Sequence, residues 1–486
     1  MRKIWRPIQR QVWFGHISNG EHNVADIFRN GSKIVIEELS RMFLSSNRKG
    51  VMVTAAGTGI NLALGVLYAW SIFKIAIKQS IEAGGAGAFH WDPASLNDPY
   101  ATCCFVFACA MILAGKFQDT YGPRITAMIG GVLVGAGFIW VSQTTDYMSW
   151  LLGFGVLVGA GIAFGYSPST PAAIKWFPPQ KMGRITGIVV AGFGLASVYI
   201  APLTTWLLGK GGLQSAMLIL GIAFLVIVCG LSLMLVNPPA DHVPAGFIER
   251  RNLSENNTKK RALFEDAEAR PAQVLKSSTF WLLWATYFIG AGAGLMVVGN
   301  IAGMAKSSLG ENAFVAVALL AVGNALGRIT AGVMSDRIGR KKTLGFIFVF
   351  QALLMFVAIS VTCYAADTSV NAFLLVFLTT LIGFNYGANL TVFPSFTKDM
   401  WGLKNFGMNY GLLFTAWGVG GLVMSRVSQY LMVRSGSFKI SLMCAGVLLL
   451  AGACLIALVK DEKDELRRKL ACQSTNNALA ADAAAT

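Results

Sequence analysis

Charge is scarce in this sequence. Asp, Glu, Lys and Arg together make up 13% of its 486 residues, about half the share usual in soluble globular domains. Histidine is scarcer: His16, His22, His90 and His242 are scattered, and none lies in a long apolar run. The eight cysteines follow no metal or redox spacing; Cys103, Cys104 and Cys109 share one apolar segment, and Cys229, Cys363, Cys444 and Cys454 lie in others. They read as small, reduced, unpaired core residues. These shortages argue against a soluble domain and leave no metal site, cofactor site or nucleophile–base constellation in view, so an enzyme is not expected.

Apolar length is what the chain has instead. Hydrophobic residues make up 55% of it. Runs such as 51–77, 125–143, 212–236, 314–334 and 442–459 reach the roughly 20 residues that cross a bilayer as a helix. The 53 glycines suit close packing of such helices. The expected fold is an all-α membrane protein with twelve transmembrane helices in two pseudo-symmetric six-helix halves. The spans fall at 51–77, 94–117, 125–144, 148–174, 184–208, 213–236, 278–305, 312–334, 343–365, 370–396, 406–431 and 438–459. This gives an N-terminal half at 51–236 and a C-terminal half at 278–459. Between them, 237–277 holds seven Lys/Arg and six Asp/Glu and reads as a solvated linker.

The net charge of +16 does not call for nucleic acid, because the basic residues gather at helix ends. The turns after even spans hold Arg124, Lys175, Lys181, Arg184, Arg337, Arg340, Lys341, Lys342, Lys398 and Lys404, whereas those after spans 3, 5 and 9 hold chiefly Lys210. By the positive-inside rule the basic side is cytoplasmic. That puts both termini inside, in a multi-pass protein of the cell (inner) membrane, expected to be a monomer in the lipid bilayer. Residues 1–50 carry nine Lys/Arg and no span, and no signal peptide is recognisable before Val51. Two readings stay open: 24–44 is a membrane-surface helix, or the start is over-long and Met42 is the true one. Residues 460–486 read as a cytoplasmic tail.

The halves repeat each other. "GKFQDTYGPR" from Gly115 matches "GVMSDRIGRK" from Gly332, and "GIVVAGFG" from Gly187 matches "GLLFTAWG" from Gly411. Symmetry of this kind marks secondary transporters, whose site lies at mid-membrane between the repeats. In the repeated Gly-x-x-x-Asp-x-x-Gly turn, Asp119 and Asp336 each stand beside a helix end and a basic residue. There a carboxylate can accept hydrogen bonds from both and latch one arrangement of the halves; the alternative is a plain helix cap. Two copies in register resemble the loop signature of the major facilitator superfamily. The second copy, with Arg337 and Arg340, fits closely. The first has Thr120 for the usual basic residue and Pro123 before Arg124, so a weaker latch is expected there.

Four stretches narrow the resemblance: "GVLYAWSIF" from Gly65, "KWFPPQKMGRITGIVVAGFG" from Lys175, "GNALGRI" from Gly323 and "NFGMNYGLLFTAWG" from Asn405. Together they are similar to the oxalate/formate antiporter family, which is related to the monocarboxylate transporters. The likeness runs from about Val51 to Val459, the linker excepted.

Arg328 lies eight residues before Asp336, about 12 Å up its helix. A mid-membrane Arg costs about 2.5–3.5 kcal/mol on insertion scales and normally faces a cavity or a partner. No acidic residue lies in the interior of any span, so the choice is between snorkelling or a carbonyl partner and a forked receptor for a carboxylate. The resemblance implies the receptor, since the family's anion-binding Arg matches Arg328. Trp417 lies about 16 Å into its helix, counted from Phe406. Relatives that bind a dicarboxylate carry a second cation, Lys, in that slot; Trp there implies a monocarboxylate, or packing only. Tyr68 and Tyr386 match family positions along the substrate path, with core packing as the other reading. Asn324, one turn before Arg328, stands where similar proton-coupled carriers have Asp, and Asn cannot titrate.

The expected function is movement of a small organic monocarboxylate by alternating access. Arg328, Tyr68, Tyr386, Trp417 and Asn324 would form the site, with Asp119, Asp336, Arg337 and Arg340 gating it. Coupling to a proton or a counter-anion is left open. Oxalate/formate exchange is the nearest alternative, and a carboxylate sensor without flux is the alternative of another class.

Overall fold

The computed structural model describes residues 48–85, 87–92, 95–239, 269–309, 313–363, 369–435 and 437–459. The expectations for residues 1–47, for most of the linker (240–268) and for the tail at 460–486 lie outside the described residues. Helix dominates, and no strand occurs among the described residues. A chain in hydrocarbon must satisfy its backbone polar groups within each segment, and helices do so.

Ten described stretches are long and apolar enough to cross a membrane. One of them, Met182–Ser232, contains two spans, because Gly212 breaks it at φ 72°. A further helix, Phe406–Ser435, completes the bundle. The twelve are α1 Arg48–Ala83, α2 Asp98–Tyr121, α3 Pro123–Val141, α4 Tyr147–Ile174, α5 at 182–211, α6 at 213–232, α7 Ser278–Leu309, α8 Ala313–Ile338, α9 Arg340–Cys363, α10 Ser369–Trp401, α11 Phe406–Ser435 and α12 Lys439–Leu458. Broad faces of α5, α6, α9 and α10 leave large apolar side chains exposed, among them Trp206, Val226, Leu353 and Phe373, as a lipid-facing surface requires.

Three local features depart from plain spans. In α1 a 3-10 turn, Gly65–Ala69, interrupts the helix, and in α4 a π-helical stretch, Leu151–Val158, replaces the α pattern. The second expected span, 94–117, starts later and ends later, as Asp98–Tyr121. Its acidic residue, Asp98, sits in the first turn and accepts a hydrogen bond from the Tyr147 hydroxyl at 2.8 Å. The linker is also not wholly solvated. A short helix, Pro271–Lys276, precedes α7. The Ala269 carbonyl accepts bonds from Asn405 and Asn409 at the start of α11.

The halves pack on each other through α5 against α8 and α2 against α11. Both seams are glycine-on-glycine. A side chain at Gly332 would strike the backbone of Gly183, and one at Gly115 would strike the backbone of Gly407. These two pairs are equivalent in the internal repeat, so the same close approach is built twice. Just beyond them, Gly122 (φ 84°) and Gly339 (φ 93°) turn the chain into α3 and α9, a left-handed conformation that costs glycine little.

Gly407→Ala should therefore destabilise the purified protein by about 1–3 kcal/mol, the cost typical of overpacking, and lower its thermal midpoint. Gly345→Ala, which meets nothing within 4 Å, is the control. Equal midpoints for the two variants would contradict the glycine seam.

Candidate functional site

The site is built from α8 outward. Arg328 is 1% exposed, the most deeply buried cation among the described residues. Its Nε donates to Asn324 Oδ1 at 2.7 Å, one turn back on the same helix face. Its Nη1 donates to the backbone carbonyl of Val190, on α5 in the opposite half. Room for this comes from Gly194, where a side chain would meet Asn324 Oδ1 and the Arg328 Nε. The guanidinium thus bridges the halves with two of its five N–H groups. No carboxylate pairs with it among the described residues.

Tyr386 on α10 and Trp417 on α11 form a second pair, with the indole Nε1 donating to the Tyr386 hydroxyl at 2.9 Å. The pairs are neighbours. Gly387, next to Tyr386 in the chain, lies against the backbone and side-chain oxygen of Asn324. Around Trp417 the walls are aromatic: Phe414 stacks on it at 5.1 Å, and Phe107 of α2 meets it edge-on at 5.6 Å. Phe107 in turn touches Tyr166 of α4 and Phe193 of α5, and Phe193 adjoins Gly194. Rings from both halves thus close over the level of Arg328. The backbone of Tyr68 lies in the 3-10 turn of α1, while its side chain is outside the described residues.

At the basic end the two motif aspartates cross between halves. Asp336 accepts from the backbone N–H of Gly183 and Arg184 at 2.9 and 2.8 Å, at the start of α5. Asp119 accepts from Gly407 and Met408 at 3.0 and 2.9 Å, at the start of α11. Each carboxylate satisfies two of the donors that a helix N-terminus leaves open, where the helix dipole also favours it. Among the described residues only Asp336 adds an ion pair: Arg340 Nη1 reaches it at 2.6 Å, and Arg340 Nε reaches Asp399 at 2.9 Å. In the repeat, Pro123 stands where Arg340 does. The first copy therefore has the backbone bonds without an arginine partner, Lys175 being the cation nearby. Arg337 is exposed, and none of the side-chain hydrogen bonds or ion pairs among the described residues at this end involves it.

Several participants were not legible in the sequence. The Val190 carbonyl carries no side-chain signal. Phe107, Phe193 and Asp399 reach the site from distant segments. Phe414 had a usable sign, lying three residues before Trp417 and so on one helix face with it.

The Major Facilitator Superfamily model matches residues 51–329 and 301–480. An uncharacterised MFS-type transporter of Escherichia coli, YhjX, is 30% identical, with 76% of this chain and 85% of that protein covered. The oxalate:formate antiporter of Oxalobacter formigenes is 25% identical, over 72% and 77%. The mouse monocarboxylate transporter 12 is 25% identical, over 74% and 75%. Among solved structures, the proton:xylose symporter XylE superposes with a TM-score of 0.65 at 15% identity, over 86% of this chain and 97% of that one; at this identity the likeness is one of fold. The matched family, the twelve-helix bundle and its repeated crossed turns agree: the chain is a multi-pass membrane transporter and belongs to the Major Facilitator Superfamily.

Proposed function

We propose that this transporter carries small organic monocarboxylates, such as lactate, pyruvate or formate, by alternating access. The observation that carries the reading is Arg328: a buried, permanently charged fork at the joint between halves, held by neutral partners and with N–H groups to spare. A carboxylate is the shape and charge that such a fork takes up. Trp417, Tyr386 and the neighbouring rings supply apolar wall for a short hydrocarbon tail, with Tyr68 on the same path. Asn324 orients the guanidinium through its side-chain oxygen. As it cannot titrate, protons would have to couple elsewhere, or a counter-anion would serve. Named relatives support the class: the two above, and the apicoplast pyruvate carrier 1 of Toxoplasma gondii, 23% identical over 84% of this chain and 89% of that protein.

Arg328, Asn324, Tyr386 and Trp417 are all at most 6% exposed, so an anion reaches them only after the halves part. The basic end is the cytoplasmic one in this reading, in the cell (inner) membrane with both termini inside. The halves at 51–236 and 278–459 move about the site, and the linker at 237–277 joins them on the cytoplasmic side. Asp119, Asp336 and Arg340 hold the cytoplasmic end closed, and Arg337 adds surface charge beside them. Oxalate/formate exchange is the second reading, favoured by the oxalate:formate antiporter among the relatives.

Uptake into proteoliposomes tests the site. Arg328→Gln should lower kcat/KM for the best substrate by about 100-fold or more, the scale for losing one member of a buried charge-assisted pair. Arg328→Lys should retain part of it, since an ammonium keeps the charge without the fork. Wild-type rates for Arg328→Gln would remove the binding role.

Asp336→Asn should favour the state open at the basic end, because it weakens both the cap and the pair with Arg340. Turnover should slow by roughly tenfold, with substrate affinity changed less. Unchanged turnover at normal membrane abundance would reduce the turn to a helix cap.

Competition separates the two substrate readings. Near neutral pH, unlabelled lactate or pyruvate should block uptake of a labelled monocarboxylate better than oxalate does. The second carboxylate of oxalate would enter a low-dielectric site without a countercharge. Trp417→Lys should move preference toward dicarboxylates. Oxalate blocking the wild type better than any monocarboxylate would promote the exchanger.

A further inference from the structure

Away from the joint, the C-terminal half holds a small cavity between α7, α9, α10 and α12. Gln351 of α9 and Asn385 and Asn389 of α10 line it, together with Gly290, Phe348 and Tyr386. Asn385 Nδ2 donates to the Ile347 carbonyl at 2.7 Å and so ties α10 to α9. The other two amides are not so served. Gln351 is 3% exposed and Asn389 2%. Gln351 Nε2, Gln351 Oε1 and Asn389 Oδ1 have no hydrogen-bond partner among the described residues. Buried amides left this way are rare and costly. The space exists because position 290 is glycine; a side chain there would strike Asn389 Nδ2 and the Phe348 ring.

We infer that this chamber binds one ordered water, and that Gln351 and Asn389 act through it as positioning residues for the segment of α10 that carries Tyr386. The chemistry selects the occupant. One orphaned atom is a donor and two are acceptors, so the ligand must both accept and donate. A sodium ion satisfies only the oxygens, and an anion only the nitrogen; neither finds a countercharge among the lining residues. Flipping the Gln351 amide exchanges its nitrogen and oxygen and leaves both needs in place. The cavity measures about 10 Å³, close to the least that admits a single water. Such a water bridges α9 to α10 one turn from Tyr386, whose hydroxyl accepts the Trp417 N–H.

Brief X-ray hydroxyl-radical labelling of the purified full chain, read by mass spectrometry, tests this without any transport substrate. Bound water turns into radical where it sits, so Phe348 should be labelled several-fold more than Phe138, although both are at most 1% exposed. Gln351→Met should abolish the excess and lower the thermal midpoint, because it removes the water's partners and leaves Asn389 unserved. Gln351→Asn, which keeps a donor and an acceptor, should retain most of the label. In a dry chamber the methionine would remove two unsatisfied groups and raise the midpoint instead. Labelling of Phe348 at the Phe138 level, or an equal or higher midpoint for Gln351→Met, overturns the inference.

Discussion

Two carboxylates and two pairs of glycines hold the basic end of this molecule together. Asp119 caps α11 and Asp336 caps α5, each across the boundary between halves. Each cap sits beside a backbone contact that only glycine permits, Gly115 on Gly407 and Gly332 on Gly183. The two depend on each other. A carboxylate side chain is short, so it reaches backbone N–H groups of another helix only where the helices nearly touch. The open N–H groups at a helix start in turn need an acceptor once water is excluded. The contact stands or falls as a unit, which suits an element with two discrete positions.

Arg328 lies on the same seam, further from the basic end. Its bond to the Val190 carbonyl crosses the α5–α8 boundary, and a side chain at Gly187 would strike its own carbonyl. A guanidinium paired with a buried carboxylate would be neutralised by the protein. Here the partners are an amide oxygen and a peptide carbonyl, which orient the group and leave its charge uncompensated. In the proposed cycle that uncompensated charge is what an anion answers, and parting of the halves breaks the Val190 bond as substrate arrives. Substrate and closure thus draw on the same donors, one way for binding to be linked to movement.

The aromatic rings give the seam a dry interior. Phe107, Tyr166 and Phe193 come from one half and Phe414 and Trp417 from the other, with centroids 5.1–6.2 Å apart. Packed rings exclude water and strengthen each hydrogen bond nearby. The asymmetry between the two turns adds a bias. Arg340 joins Asp336 to Asp399 on the C-terminal side, while Asp119, with Pro123 in the matching place, has backbone donors and no ion pair among the described residues. The two seams are therefore alike in geometry and unequal in charge.

Membrane class, span number and the doubled turn were determined by the sequence itself, because each follows from local composition or from repetition along the chain. A run of about 20 apolar residues has few alternatives to a spanning helix. Arg328 stood out for the same reason, as a charged exception in an apolar helix, whereas Trp417 stood out only through the resemblance, which implies a Lys in its slot in relatives that bind a dicarboxylate. The unequal turns were legible too, since Thr120 and Pro123 occupy the places of Arg337 and Arg340. Partners across the chain were decided only by tertiary packing. That Asp119 meets Met408, that Arg328 meets the carbonyl of Val190, and that Arg340 rather than Arg337 completes the turn depend on how separate helices cross. Backbone carbonyls and N–H groups are the partners in most of these contacts, and every residue has them. No side-chain pattern could mark which ones would be used.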